Sequence, residues 1–284
     1  MSSVSAAFAC ILKLMLLAID VGATKTLLAV FSGEGKILAS SKFATRHSYK
    51  TFLKDLDTAV KGYQRNYKFS ACVCALPGKI ELKNGVGLSF GNLPWRNVPA
   101  KKDLENLLDG MPVWVAHDSS LAGLSEAILT HGKYKKVLYL TISTGIGDGI
   151  IIDGKIDVNL ADSEAGQMVL EHEGKLQKWE TFASGSALVK RYGKLAAEID
   201  DAAIWQTYAK DLAPGIEQLT AAFQPDVIIL GGGVGAHFEK FSAYLIQQLG
   251  EFKNRLVPIP SIIKAKRPEE AVVYGCYEYY KQQR

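Results

Sequence analysis

The sequence predicts an α/β protein of two domains that share a topology. Apolar, β-prone runs alternate with runs of helical periodicity along most of the chain, the pattern of α/β architecture. A strand, a glycine turn and a second strand occur twice, as LLAIDVGATKTLLAVF over Leu16–Phe31 and as LYLTISTGIGDGIII over Leu138–Ile152. The length, 284 residues, is enough for two domains with their own cores.

Strands are expected at Leu16–Val21, Thr26–Phe31, Ile37–Phe43, Ala71–Leu76, Val113–Ala116, Val137–Ile142, Gly149–Ile152, Val227–Leu230 and Ser261–Ala265. Helices are expected at Tyr49–Tyr67, Lys101–Leu108, Ser120–Leu129, Ser186–Tyr192, Ala202–Phe223, His237–Leu249 and Glu269–Gln283. The apolar stretch Ala6–Ile19 has no basic flank and is too short to span a bilayer. Its second half runs straight into a glycine turn, as a buried strand does. Residues 1–14 are therefore read as an extension, with Met15 the natural beginning of the fold.

The composition is that of a soluble globular protein, 48% hydrophobic and 22% charged. The net charge of +4 is scattered, whereas a nucleic-acid binder concentrates its basic residues on a stripe or tail. Cys10, Cys72, Cys74 and Cys276 have neither zinc-type nor disulfide-framework spacing, which points to a reducing cytosol. Cys72 and Cys74 lie two apart on one strand and share a face, as small apolar core residues.

Three glycine-rich turns carry the candidate chemistry. In Asp20-Val21-Gly22-Ala23-Thr24-Lys25 a strand ends in a carboxylate and a tight turn follows, whose N–H groups can cradle phosphate. Thr24 adds a hydroxyl, Lys25 a positive charge, and Asp20 a ligand for magnesium through water. Ser143-Thr144-Gly145-Ile146-Gly147-Asp148-Gly149 is a second phosphate candidate, in which Asp148 must face magnesium or solvent to avoid repelling the ligand. Leu230-Gly231-Gly232-Gly233-Val234-Gly235 follows a strand and gives a floor for a flat ring such as adenine. Asp118, after the strand Val113–Ala116 and before a helix, stands at a strand edge where open α/β sheets bind ligands; capping that helix is its structural alternative.

Taken in order, these segments resemble the ROK family of sugar kinases and sugar-responsive repressors, within the wider group of hexokinase, actin and the large heat-shock chaperones. The resemblance runs from Met15 to the C-terminus through AIDVGATK, ALPGKIE, GNLPW, VWVAHDSSLAGLSEA, LTISTGIGDGIIIDGKI, SEAGQM, WETFASGSAL and PDVIILGGGVG. It implies two ribonuclease H-like α/β domains flanking a cleft, residues 15–117 with 268–284 and residues 118–267. It implies a cytoplasmic, ATP- and Mg²⁺-dependent kinase that phosphorylates a hexose, by default the 6-hydroxyl of glucose.

Under that resemblance Asp118 is the general base and Asp20 organises magnesium. Gly22, Thr24, Lys25, Thr144, Gly145 and Gly147 line the phosphates, and Gly232 and Gly233 lie under the adenine. Gly78, Asn92, His117, Glu164, Gln167 and Glu180 form the sugar side. The partners implied are a hexose and a nucleotide, without nucleic acid or membrane, and a homodimer is left open.

The chain departs from the family pattern at several points. His117 replaces the usual Asn, and Asp148 stands where Gly is usual. The usual Gly-Glu-Ile-Gly-His reads Ser163-Glu164-Ala165-Gly166-Gln167, and the zinc-binding cysteines that normally follow are absent. No zinc site is therefore expected. A solvated acidic turn around Glu171, His172 and Glu173 should be ordered by Met168, Leu170, Leu176 and Trp179. The rival readings are a non-catalytic sugar or nucleotide binder and a sugar-sensing regulator; about fourteen residues precede the first strand, few for a DNA-binding domain.

Overall fold

A computed structural model describes residues 15–252, 256–267 and 270–284. The expected extension at residues 1–14, with Cys10, lies outside them. The chain divides into two compact units, one ending at Leu121 and completed by Val272–Arg284, the other Ala122–Ala271.

The first unit holds β1 (Met15–Val21), β2 (Lys25–Phe31), β3 (Ile37–Ala44), α1 (Tyr49–Gln64), β4 (Phe69–Leu76), β5 (Lys79–Glu81), β6 (Val86–Ser89), β7 (Arg96–Val98), α2 (Ala100–Leu107) and β8 (Val113–His117), with the start of α3 (Asp118–Ile128). Its main sheet has the order β3-β2-β1-β4-β8, with β1, β4 and β8 parallel and β2 antiparallel to both its neighbours. The burial follows from the sequence. Leu16 to Ile19 are apolar at every position and buried at every position, as a central strand requires, whereas the polar-rich β3 has only partly buried and exposed residues, as an edge strand does. Ser48 caps α1 by accepting the Thr51 N–H at 3.4 Å, and Phe52, Leu56 and Val60, one turn apart, join the core that contains Cys72 and Cys74. The strands β5, β6 and β7 form a small antiparallel sheet that the sequence reading lacks, because runs this short leave no periodicity to read.

The second unit holds β9 (Lys136–Ile142), β10 (Ile146–Ile152), β11 (Lys155–Ile156), β12 (Val169–His172), β13 (Lys175–Lys178), α4 (Glu180–Ala183), α5 (Gly185–Tyr192), α6 (Ala202–Phe223), β14 (Val227–Gly231), α7 (Gly232–Gly235), α8 (Phe238–Glu251) and β15 (Ser261–Lys264). Its main sheet runs β11-β10-β9-β14-β15, with β9, β14 and β15 parallel and β10 antiparallel to both its neighbours. Strand for strand this is the order and direction of the first sheet. The two similar hairpins in the sequence are thus the same element of two similar domains.

The helix α9 (Ala271–Gln282) returns the chain to the first unit. Its Gly275 packs so closely on α3 that a Cβ there would lie 1.9 Å from the Leu121 carbonyl oxygen. Among the described residues no helix is long and apolar enough to cross a membrane.

Candidate active site

In the first domain the parallel strands bring two carboxylates to one edge. Asp20, the last residue but one of β1, lies opposite Ala75 of β4, and the next residue of β4, Leu76, lies opposite His117 of β8. Asp118 follows directly, as the first residue of α3, so a single strand separates the two aspartates at the C-terminal edge of the sheet. The capping alternative is replaced by a closer fit: Asp118 lies inside the helix, and its Oδ1 accepts the Ser119 N–H at 2.7 Å. Burial raises the pKa of Asp118, against the lowering effects of that N–H and of the buried His117. Burial and then the charge of Asp118 push Asp20 from 3.8 up to about 7, with Lys42 pulling the other way. Lys42 was not foreseen. It pairs with Leu27, which pairs with Asp20, so all three share one face of the sheet, and that register is not written in the local sequence.

The turn beside Asp20 needs its glycine. The Gly22 N–H donates to the Lys25 carbonyl at 3.0 Å, and a Cβ at position 22 would lie 2.8 Å from that oxygen. The hairpin is pinned to the end of β3, because Thr45 donates its N–H to the Thr24 carbonyl at 3.0 Å and its hydroxyl meets that of Thr26 at 2.8 Å. Thr24 and Lys25 remain exposed. Gly78 has φ +79, and a Cβ there would strike the Ser89 carbonyl oxygen at 2.3 Å. Asn92 is exposed on a loop anchored by buried Phe90, Leu93 and Trp95, whose Nε1 donates to the His47 carbonyl at 2.9 Å.

In the second domain the carboxylates have partners. Glu180, the first residue of α4, accepts the Gln167 Nε2–H on Oε1 at 2.6 Å, and its Oε2 lies 3.5 Å from the Ile146 nitrogen. Cβ atoms at Gly145 and Gly166 would come within 2.6 and 3.0 Å of that Oε2. Gly145, Gln167 and Glu180 therefore meet. Glu164 is exposed and lies between Ser163 and Ala165, both of which donate to Asp148, the N–H of Ala165 at 2.8 Å. This corrects the expectation for Asp148: at 2% exposure it does not face solvent, and both its oxygens hold the neighbouring loop. Gly147 is a strand residue opposite Thr141 rather than part of the turn.

The three glycines that begin at the last residue of β14 divide. Cβ atoms at Gly231 and Gly232 would collide with Tyr139 Oη at 2.3 Å and the Ile142 carbonyl oxygen at 2.6 Å, so these two serve backbone packing. Gly233 meets nothing closer than Ser143 Oγ at 3.9 Å and lines a cavity of about 520 Å³. Thr144, Ser186, Lys190 and His237 give this cavity polar atoms, and Val189, Leu195, Ala196 and Val234 give it apolar walls. Burial, Lys240 and Lys264 lower the pKa of His237 and favour its neutral form. The segment WETFASGSAL carries Glu180, expected on the sugar side, together with Gly185 and Ser186. In the structure that segment splits, with Glu180 turned to Gln167 and Gly185 donating its N–H to the Ser143 carbonyl at 2.7 Å on the cavity side. The signal available was Ser184, which caps α5 through the Ala187 N–H at 3.2 Å.

The expected acidic turn is a β-hairpin, β12–β13. His172 stacks on Phe182 at 4.2 Å and meets Asp211 Oδ1 at 3.0 Å, while Asp211 Oδ2 accepts Arg191 at 2.5 Å. Trp179 is fully buried, and Met168 and Leu170 pack on the core, but Leu176 is 76% exposed and orders nothing.

The model of the ROK family matches residues 16–283. The chain belongs to the ROK family. Within it, a fructokinase of Lactococcus lactis subsp. cremoris is 30% identical over 76% of this chain and 78% of its own length. An N-acetyl-D-glucosamine kinase of Histophilus somni is 28% identical over 90% of this chain and 95% of its own. Among solved structures, a ROK family glucokinase from Streptomyces griseus in complex with glucose and AMPPNP superposes with a TM-score of 0.81 at 23% identity, covering 94% of this chain and 99% of that one. A ROK family transcriptional regulator, a homologue of the E. coli MLC protein, gives the same TM-score at 17% identity, covering 94% of this chain and 78% of its own. The ROK fold is therefore established here, and it is shared by kinases and a regulator.

Proposed function

We propose that this ROK protein is a cytosolic, ATP-dependent sugar kinase that transfers a γ-phosphoryl group to a hexose hydroxyl, by default the 6-hydroxyl of glucose. The observation that carries the reading is the pair Asp20 and Asp118, two carboxylates raised in pKa at one sheet edge of one domain. Asp118, with its affinity for a proton raised by burial, is suited to accept one from a sugar hydroxyl as that oxygen attacks phosphorus.

Magnesium fits this edge. Asp20 and Asp118 are hard oxygen donors whose unfavourable ionisation a divalent cation relieves, and an ion that keeps several waters needs few protein ligands. When bound with the nucleotide, the metal would neutralise phosphate charge, with Asp20 holding it. Lys25, Thr24 and the turn N–H groups near Gly22 would orient phosphate oxygens, as would Thr144 and the turn at Gly145. Gly147, inside β10, would act through the strand that carries that turn.

The apolar-walled cavity beside Gly233 supports a nucleoside triphosphate over polyphosphate as donor, because a bare phosphate chain has no use for apolar walls. Gly232 supports that floor from beneath. Asn92, Glu164 and Glu180, with the backbone at Gly78, would bind sugar hydroxyls; Gln167 and His117 would set their neighbours Glu180 and Asp118. The kinase names of relatives such as the Lactococcus fructokinase support a hexose acceptor. The three free, buried thiols Cys72, Cys74 and Cys276 suit a reducing compartment. The test is a coupled ADP-release assay with MgATP, or with polyphosphate and product detection, over glucose, fructose, mannose and N-acetylglucosamine. Hexose-dependent ADP release is expected; release no faster than without hexose overturns the reading.

A further inference from the structure

Asp148 is a buried carboxylate that the proposed reaction does not use. It stands where the family pattern has Gly, and so does Ser163. The two departures meet, since the Ser163 hydroxyl donates to Asp148 Oδ2 while the Ala165 N–H donates to Oδ1 at 2.8 Å. A glycine at position 148 could accept neither bond with a side chain. Asp148 sits within β10, paired in register with Leu140 of β9, so the carboxylate is fixed by the sheet. The residues it holds lie on either side of Glu164, which is exposed and has φ −134 and ψ 72. The Ala165 N–H belongs to the peptide that follows Glu164, so its bond holds that peptide plane, while the Ser163 hydroxyl tethers the residue before it.

We propose that Asp148 is a positioning residue that aims the Glu164 carboxylate at the sugar, with Ser163 as its partner. The inference deepens the function proposed above and rests on Glu164 being a sugar ligand. The hairpin that carries Gly145 and the loop that carries Glu164 then move as one piece, because β10 belongs to the first and anchors the second.

The experiment compares Asp148→Ala, Asp148→Asn, Ser163→Ala and Glu164→Gln in the full chain. It measures KM for the best hexose of the panel, KM for MgATP and kcat, together with hexose binding by calorimetry and the melting temperature. Asp148→Ala should raise hexose KM about tenfold, the size expected for lost hydrogen bonds to a charged group, with KM for MgATP within about twofold. Ser163→Ala, which removes only one bond from a half-buried residue and so spares folding, should raise it about threefold. Asp148→Asn keeps an acceptor for the Ala165 N–H and should fall between wild type and alanine. If Asp148→Ala and Ser163→Ala leave hexose KM unchanged while Glu164→Gln raises it, the positioning role is wrong and Glu164 stands. If Glu164→Gln leaves hexose KM and hexose binding unchanged, the assignment of Glu164 is itself wrong. Equal rises in hexose and MgATP KM on Asp148→Ala would show a merely structural clamp and overturn the proposal.

Discussion

The two domains repeat one sheet topology and treat their acidic residues in opposite ways. At the edge of the first sheet, Asp20 and Asp118 resist ionisation, held by burial and, for Asp20, by the charge of Asp118. In the second domain, Glu180 and Asp148 are satisfied by the Gln167 amide, the Ser163 hydroxyl and the Ala165 N–H. Where the first hairpin is followed by an exposed Lys25, the second leads to an apolar-walled cavity. The same backbone thus carries carboxylates that burial disfavours in one copy and hydrogen-bonded carboxylates in the other. What differs is the balance of burial and hydrogen bonding: at Asp118 burial outweighs the Ser119 N–H, whereas both oxygens of Asp148 accept hydrogen bonds that hold a loop.

The strongest way to break this comparison is Asp118→Asn. The amide keeps the size but cannot take a proton, so kcat should fall by about 10²–10⁴ with sugar binding within a few fold. Retention of more than about a tenth of kcat would remove Asp118 from the role of base. The corresponding change in the second domain, Glu180→Gln, should act chiefly on hexose KM.

Gly232 and Gly233 sharpen the contrast inside the second domain. Gly232→Ala places a Cβ 2.6 Å from the Ile142 carbonyl oxygen at φ +78, and should cost at least about 2 kcal/mol in chemical denaturation. Gly233→Ala has room, and should leave stability within about 0.5 kcal/mol while raising KM for ATP. Similar losses of stability in both would show that the cavity floor has no functional side.

The third test is the pH dependence of stability without ligands. The folded pKa of Asp20 is raised to about 7 from 3.8, so the native state binds the proton more tightly than the unfolded chain. Its contribution to stability is complete below about pH 4 and is lost as pH rises to about 7. Asp20→Asn should flatten this fall and raise Tm at pH 8 but not at pH 4, while reducing activity. A Tm of Asp20→Asn equal to or below wild type at pH 8 would contradict the strained edge.

The smallest effect is expected at the β12–β13 hairpin. Leu176→Ser, on a side chain 76% exposed, should change stability by less than about 0.5 kcal/mol, whereas Trp179→Ala, fully buried against Gly215, should cost about 3–5 kcal/mol. A destabilisation above about 1 kcal/mol for Leu176→Ser would mean that the hairpin is covered by something that buries it.

The sequence by itself determined the elements whose signals are local. The unbroken apolar run Leu16–Ile19 could only be a central strand, Ser48 and the four-residue spacing of Phe52, Leu56 and Val60 could only open and orient a helix, and the repeated strand–glycine–strand pattern announced two like domains. Asp20 and Asp118 were legible because one stands near the end of an apolar strand and the other follows one directly. Tertiary structure alone decided the rest, because it depends on which distant atoms meet. Lys42 reaches the face of Asp20 through the register of three strands, Asp148 finds Ser163 and Ala165 across a loop, and adjacent glycines at 232 and 233 part company over one carbonyl oxygen. Leu176 and Trp179 lie three positions apart in one apolar pattern, yet only Trp179 meets the gap that Gly215 leaves in α6. Periodicity specifies a face; only packing specifies what stands opposite it.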